Sequence, residues 1–253
     1  MMVMPITDAY AHCGLRKYKP VAELDAVMDR HGVARTVLAE HIGEFDNSYI
    51  ESVVKQRPQR FAGVFMVDET SPRATDDITR WAKTGAFRGI RFASATVLTH
   101  RKLWDWSAQL GLHLVVSAPF PADVTAGVNA FAQDHPRTML QLTHLAGAGF
   151  EKRLNIIVQV SGMHKDDKAP YAATIPRIRA LYDTLGPARL VYGSNFPVML
   201  EEAVYAAEIE LLRSGKLGVP EKDVEAVMNG NAVRLWFGKS TVRAGSLLGG
   251  VLA

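Results

Sequence analysis

The sequence contains a single cysteine, Cys13, among its 253 residues. One thiol excludes an intrachain disulfide and predicts a reducing compartment, which we expect to be the cytoplasm. Runs of like charge are also missing, because 29 basic residues are spread among 26 acidic residues for a formal net charge of +3. So diffuse a charge argues against nucleic acid as a partner. No apolar run approaches the roughly 18 residues that cross a bilayer, and no secretory signal is recognisable, so we expect no membrane partner.

Apolar residues are plentiful, at 48% of the chain, and are enough to bury a large core. Short β-rich runs alternate with segments whose apolar residues recur at helical spacing. We predict strands at residues 6–13, 35–41, 61–68, 87–94, 112–119, 138–145, 156–163 and 189–196. We predict helices at residues 21–32, 47–57, 73–83, 101–111, 122–135, 174–186 and 201–215.

Eight β units without a linker predict an α/β fold, a (β/α)8 TIM barrel, with an open doubly wound sheet as the alternative. Only about ten residues, AGAGFEKRLN, separate the sixth strand from the seventh, so the sixth helix is predicted to be shortened. The segment EKDVEAVMNGNAVRLWF predicts a C-terminal extension of two helices split at Asn-Gly-Asn. We therefore expect one domain over residues 1–239 and a tail over 240–253, whose apolar surface leaves room for a homo-oligomer.

Polar residues mark the ends of the predicted strands. The carboxyl ends of parallel barrel strands open into one shared mouth, where we expect the chemistry. The first strand brings Tyr10 and His12, and period two puts Asp8 on the same inward face, as a structural hydrogen-bonding residue. The later strands add His41, Asp68, Arg91, Ser117, His144, Ser161, His164 and Asn195.

Each of these residues could have a purely structural role instead of a functional one. Tyr10 could fill the barrel centre, and His12 and His144 could be satisfied by backbone partners. Arg91 could bind a substrate carboxylate or pair with Asp68, since a charge in an apolar run is costly unless it is paired. Whether His41 or its neighbour Glu40 faces inward stays open at this stage.

Several segments resemble the amidohydrolase-related family of TIM barrels, in the branch of pyrone-dicarboxylate lactonase and sugar lactonases. They are TDAYAHCG, MDRHGVARTVLAEH, AFRGIRFA, LTHLAG, VQVSG, VYGSNFPV and MNGNAVRLWFG, between Ile6 and about Lys239. The resemblance implies that His12 and His144 are site histidines, that Arg91 holds a substrate carboxylate, and that Ser161 belongs to the site. Tyr10 stands where the family's opening motif has a histidine, and Asn195 where it has an aspartate.

These two departures change the expected chemistry. A catalytic zinc ion normally takes three His or carboxylate ligands, whereas His12 and His144 supply two neutral nitrogens. We therefore expect no catalytic metal and no other cofactor. An asparagine amide is also no general base, so His144, His12 or His164 would have to activate water while Tyr10 donates to an oxyanion.

The sequence thus predicts a metal-independent, lactonase-like hydrolase that acts on a small carboxylated cyclic substrate. The predicted catalytic residues are Tyr10, His12, His144 and Asn195. The predicted substrate-binding residues are Arg91, Ser117, Ser161, His164 and His41. Three alternatives stay open: decarboxylation, isomerisation or cyclisation in the same pocket, a non-catalytic binding protein, and a metal-dependent hydrolase with unusual ligands.

Overall fold

A computed structural model describes residues 4–198 and 201–238, and in it eight parallel strands pair in chain order. All eight predicted strands are confirmed, although each ends before its predicted boundary because the polar residues there belong to loops. The strands are β1 Ile6–Ala11, β2 Val33–Ala39, β3 Phe61–Phe65, β4 Phe87–Ala93, β5 His113–Ser117, β6 Leu140–Leu142, β7 Ile156–Val160 and β8 Leu190–Tyr192. The (β/α)8 TIM barrel is therefore confirmed.

The barrel closes at a seam between β8 and β1. The backbone N–H of Asn195 donates to the carbonyl of Tyr10 at 2.8 Å, and that of His12 donates to the carbonyl of Phe196 at 2.8 Å. Deeper in the seam, the Asp8 carboxylate accepts from the backbone and the hydroxyl of Ser194. These bonds join the first and last strands just below the mouth.

All seven predicted crossover helices are confirmed. The helices are α1 Val21–His31, α2 Ser48–Gln56, α3 Ala74–Lys83, α4 Thr96–Thr99, α5 Arg101–Gln109, α6 Ala122–Asp134, α7 Met163–Asp166, α8 Ile175–Leu185, α9 Glu202–Arg213 and α10 Glu221–Glu225. The sequence pattern does not predict the two short helices α4 and α7. The connection between β6 and β7 contains no helix, in line with the predicted shortening. No helix in the two described ranges is long and apolar enough to cross a membrane.

The C-terminal extension differs from the prediction of two separate helices. After α10 the helical backbone continues through two π turns, Ala226–Gly230 and Val233–Phe237, without a break at Asn-Gly-Asn. Asn231 is right-handed, and its amide donates to the carbonyls of Pro187 and Leu190 at 2.8 Å, which ties the helix to β8. The predicted tail, residues 240–253, lies outside the described residues.

The barrel interior is a separate cluster from the layer between strands and helices. It holds small and branched side chains such as Val37, Val64 and Val191, and Trp236 closes its floor. The Trp236 indole donates to Gln141, whose amide donates to the carbonyl of Ala9, at 2.8 and 2.9 Å. The polar mouth therefore lies above a filled core and not above a channel.

Strand β1 carries an irregularity that changes which residues face inward. Its pairing with β2 shifts between Asp8 and Ala11, and consequently Ala9 and Tyr10 both join the interior cluster. Asp8 points outward, where burial raises its pKa to about 6, its hydrogen bonds from Ser194 lower it, and the charge of Glu208 raises it. The prediction that Asp8 shares the face of Tyr10 and His12 is wrong because a bulge interrupts the period of two. Its predicted role in hydrogen bonding is confirmed.

Candidate active site

The mouth of the barrel is built around the ring of Tyr10. Its centroid lies 4.8 Å from that of His12 and 6.0 Å from that of His144, in edge-to-face arrangements. Tyr10 is fully buried, and among the described residues its hydroxyl donates to no acceptor, although the Ser117 side chain approaches it as a donor. Burial raises the pKa of Tyr10, while Arg91 and Ser117 lower it by less, so the group is a neutral phenol. A buried donor without an acceptor is costly, and a bound oxygen atom would satisfy it.

His12 is neutral, and its tautomer follows from its contacts. Burial and the charge of Arg91 lower its pKa to about 3. Its Nδ1 lies 2.6 Å from the carbonyl oxygen of Ala39, which can only accept, so the proton is on Nδ1. Nε2 therefore carries a lone pair and lies 3.3 Å from Oδ1 of Asn195.

Two acceptors cannot bond to each other, and the Nδ2 of Asn195 is buried with no partner among the residues that the structure describes. Rotating the amide by 180° lets Nδ2 donate to Nε2 of His12 and turns Oδ1 toward the mouth. Asn195 itself is left-handed, with φ 62°, a conformation that asparagine tolerates better than most residues. Its neighbour Gly193 must lack a side chain, because a Cβ there would lie 2.9 Å from the Cβ of Tyr10.

His144 is held by a directional chain of hydrogen bonds. Lys165 Nζ lies 3.4 Å from its Nε2, so an ammonium proton is donated to that nitrogen, and its Nδ1 donates to Ser161 at 3.1 Å. The Ser161 hydroxyl in turn donates to Gln159 at 3.2 Å. Burial, with Lys165 and then Arg91, lowers the pKa of His144 to about 3. The Nε2 of His144, like that of His12, is an unprotonated nitrogen at the mouth.

Arg91 is buried beside Tyr10. Its Nε donates to Ser117 at 2.8 Å and its Nη1 to the carbonyl of Glu40 at 2.9 Å, and its guanidinium lies 5.4 Å from the Tyr10 ring centre. No carboxylate of the described residues lies within ion-pairing distance of it. The alternative of a salt bridge to Asp68 is wrong, because that side chain turns back to accept from Thr70.

The alternation of side chains along β2 determines that His41, and not Glu40, faces the mouth. His41 follows Ala39 on the inward face, and its ring lies 6.0 Å from that of His12. Tyr18 stacks on His12 at 5.4 Å and meets His41 edge-to-face at 5.0 Å, so it walls one side of the mouth. Glu40 lines, together with His41 and Tyr18, an adjoining cavity of about 190 Å³, and burial raises the pKa of its carboxyl to about 7.

The structure brings eight of the nine predicted site residues together. His164 is the exception, because its Nδ1 lies 3.0 Å from the Glu208 carboxylate beneath α9, outside the mouth. Sequence reasoning missed Lys165, Tyr18 and Gln159. Tyr18 stands on a loop and Lys165 on the short helix α7, where no strand pattern locates them, but Gln159 on β7 lies two residues before Ser161 and could have been detected.

The described side chains at the mouth do not form a catalytic metal site. No three His, Cys, Asp or Glu side chains of residues 4–198 and 201–238 come together in a way that could hold one. His12 offers one nitrogen, Nε2, and the Nε2 of His144 faces the Lys165 ammonium, while Tyr10 is a protonated phenol and Asn195 offers only an amide oxygen. Zinc requires more anionic or imidazole ligands than this, so the residues do not fit such a site.

Comparison with known proteins identifies the family of the chain. The chain matches the amidohydrolase family Amidohydro_2 over residues 5–238. It is 26% identical over 204 residues to an L-fucono-1,5-lactonase of Burkholderia ambifaria, covering 70% of this chain and 69% of the relative.

Two solved structures share the fold. A Pseudomonas putida protein provisionally assigned as a 2-pyrone-4,6-dicarboxylic acid hydrolase superposes with a TM-score of 0.75 at 20% identity, covering 94% of this chain and 99% of that one. A 5-carboxyvanillate decarboxylase of Sphingomonas paucimobilis superposes with a TM-score of 0.70 at 14% identity, covering 93% and 99%. At these identities the likeness establishes the fold alone.

Proposed function

The chain belongs to the amidohydrolase family Amidohydro_2, and from that premise we propose that it hydrolyses the lactone ring of a small carboxylated substrate without a catalytic metal. The lactonase relative supports the reaction class. The observation that supports a carboxylated substrate most directly is Arg91, a buried guanidinium beside Tyr10 with no acidic partner among the described residues. A buried charge without a counterion is costly, and a substrate carboxylate would compensate it with charge-assisted hydrogen bonds.

The carboxylate would also activate the site. The pKa of His144 is low partly because Lys165 and Arg91 are positive, and a bound anion offsets both charges. The pKa of the imidazole therefore rises when substrate binds, and Nε2 becomes a competent base. A non-carboxylated lactone would lack this effect and react slowly.

Each step of the proposed lactone hydrolysis can then be assigned to a residue. When the Lys165 ammonium turns from His144 Nε2 to the substrate carboxylate, the lone pair of Nε2 is released. Water then attacks the lactone carbonyl while Nε2 takes the proton of the water, and the Tyr10 hydroxyl donates to the oxyanion that forms. His12 holds the Asn195 amide, whose orientation fixes the substrate. The ring C–O bond breaks, and the imidazolium of His144 returns its proton to the departing alkoxide. The product is a hydroxy acid, and no step requires a metal ligand.

The test combines metal analysis with a lactone screen. Purified protein is expected to contain substoichiometric zinc, manganese and iron, and to open carboxylated lactones, measured as acid release in a pH-stat, equally with and without a chelator. Stoichiometric metal together with activity lost on chelation would refute the metal-independent mechanism. Release of CO2 without acid formation would instead identify a decarboxylase.

Matched variants isolate the role of Arg91. Arg91→Gln is expected to lower kcat/KM for a carboxylated lactone by roughly 10- to 100-fold, the usual worth of a charge-assisted hydrogen bond. Its effect on an uncharged lactone should be much smaller. Arg88→Gln is the control, since Arg88 stands on the same strand near His113 at the opposite end of the barrel. Equal losses with both substrates would contradict carboxylate binding.

A further inference from the structure

The segment between β7 and α8 surrounds His144 on three sides. Ser161 accepts from its Nδ1, and Lys165 donates to its Nε2 at 3.4 Å. Gly162 is left-handed and lies against the ring, since a Cβ there would be 2.8 Å from Nδ1. The position of this segment therefore decides which nitrogen of His144 carries the proton.

The segment has little regular structure of its own. Its only helix is α7, four residues long, and a helix of that length is not stable without tertiary contacts. Lys165 lies on an exposed side of this turn, where a long flexible side chain has many alternatives. The Asp167 carboxylate stabilises the second half of the segment by accepting from the backbone N–H groups of Ala173 and Thr174, and a contact from outside the segment fixes α7.

Glu208 on α9 supplies that contact. Its side chain is completely buried, and Oε1 lies 3.0 Å from Nδ1 of His164 and accepts from the hydroxyl of Tyr171 at 3.3 Å. His164 precedes Lys165 directly, and Tyr171 follows it after a turn. One carboxylate oxygen thus holds the segment on both sides of Lys165.

This arrangement is not an efficient way to fill a core. A buried carboxylate with its donors usually stabilises a protein no more than well-packed apolar residues would. Oε2 of Glu208 and Nε2 of His164 also lack partners among the described residues, which adds a cost. Unlike apolar packing, these hydrogen bonds fix the direction of the α7 backbone.

We propose that Glu208 is a positioning residue that, through His164 and Tyr171, fixes α7 so that Lys165 donates to Nε2 of His144. The proton of His144 is thereby confined to Nδ1, and the single lone pair of Nε2 is held by Lys165 until substrate binds. His164 acts on the site through this anchor and does not bind substrate. The inference rests on the proposed function only where it concerns catalysis, and its test reads the tautomer of His144 directly.

The experiment is long-range ¹H–¹⁵N NMR of histidine-labelled protein at neutral pH. In the unaltered protein His144 is expected to be protonated on Nδ1. Lys165→Met, which removes the donor, is expected to let both tautomers appear. Tyr171→Phe and His164→Leu should produce the same mixture while Lys165 is still present, and Glu208→Gln, which keeps an acceptor oxygen, should preserve the original tautomer.

Tyr182→Phe is the control, because its hydroxyl also bonds a carboxylate, that of Asp223, but away from the site. It should leave the His144 signals unchanged. The proposal is overturned if His144 is protonated on Nε2 in the unaltered protein, or if Tyr171→Phe, the mildest variant, folds and leaves the tautomer unaltered. Failure of every lactone to react would refute the proposed function and leave these signals as they are.

Discussion

Asn195 and His12 meet across the barrel seam, with Oδ1 of the amide 3.3 Å from Nε2 of the imidazole. The contact is a hydrogen bond only with the amide turned so that nitrogen faces nitrogen. An amide can serve a neutral histidine in this way, whereas a carboxylate cannot, because it has no proton to donate. The residue at position 195 thus selects the charge state of its neighbour.

Replacing Asn195 by aspartate should raise the pKa of His12. The new carboxylate stabilises the imidazolium, and an upward shift of about one to three units from about 3 is expected for a neighbouring opposite charge. The measurement is an NMR titration of His12. His113, whose pKa burial lowers to about 4 at the barrel floor, should titrate unchanged, and an unmoved His12 would show that the two side chains do not interact.

Replacing Tyr10 by phenylalanine should separate stability from activity. The variant removes a buried hydroxyl that donates to no acceptor among the described residues, so the free energy of unfolding should stay level or rise by about 1 kcal/mol. Loss of an oxyanion donor should lower kcat by roughly 10²- to 10³-fold. Urea unfolding and lactone kinetics measure the two effects. Tyr192→Phe removes another unpartnered buried hydroxyl outside the mouth and should leave kcat unchanged; equal kcat in both variants would exclude Tyr10 from the reaction.

Replacing Glu40 by glutamine should flatten the pH dependence of stability. Burial raises the pKa of Glu40 from 4.5 to about 7, so its protonated form favours folding below pH 4.5, and that contribution is lost as the pH rises through 7. The stability of the unaltered protein relative to Glu40→Gln should therefore fall by about 3 kcal/mol between pH 4.5 and 8, at about 1.4 kcal/mol per pKa unit. Urea unfolding at several pH values tests this, and a constant difference would show that Glu40 titrates normally.

Replacing Gly193 by alanine should destabilise the seam. The added Cβ would lie 2.8 Å from Nε2 of Gln159 and 2.9 Å from the Cβ of Tyr10, and overpacking of this kind costs about 1–3 kcal/mol. Gly14→Ala is the control, since its nearest neighbour would be a backbone nitrogen of Tyr18 at 3.9 Å. Similar melting temperatures for the two variants would show that the seam relaxes around the methyl group.

The barrel could be predicted from the sequence because its signals are local. Strand runs and helical spacing are properties of neighbouring residues, and so is the alternation that brings Arg91 and Ser117 to one face. The bulge in β1 could not be predicted, since it depends on pairing with β2, and Asp8 was therefore assigned to the wrong face. The helix break at Asn-Gly-Asn was mispredicted because Asn231 finds its partners 41 and 44 residues away.

The candidate site was predicted to a similar extent. Residues at strand ends were found because a barrel gathers them, whatever their chemistry. The orientation of His164 could not be found, because Glu208 lies 44 residues further along the chain. Charge states were also out of reach, since the low pKa values of His12 and His144 arise from burial that only the folded barrel creates.

The seam that joins Asp8 to Ser194 has a consequence for biosynthesis. These residues are 186 positions apart. The strand β1, which carries Tyr10, is therefore synthesised early and lacks its neighbour β8 until the end of translation approaches. At about 5–20 residues per second, a ribosome needs some ten seconds or more to supply it. During that interval the nascent chain exposes one edge of β1, and chaperone binding to a ribosome-stalled chain ending before residue 190 should be stronger than to one that has released β8.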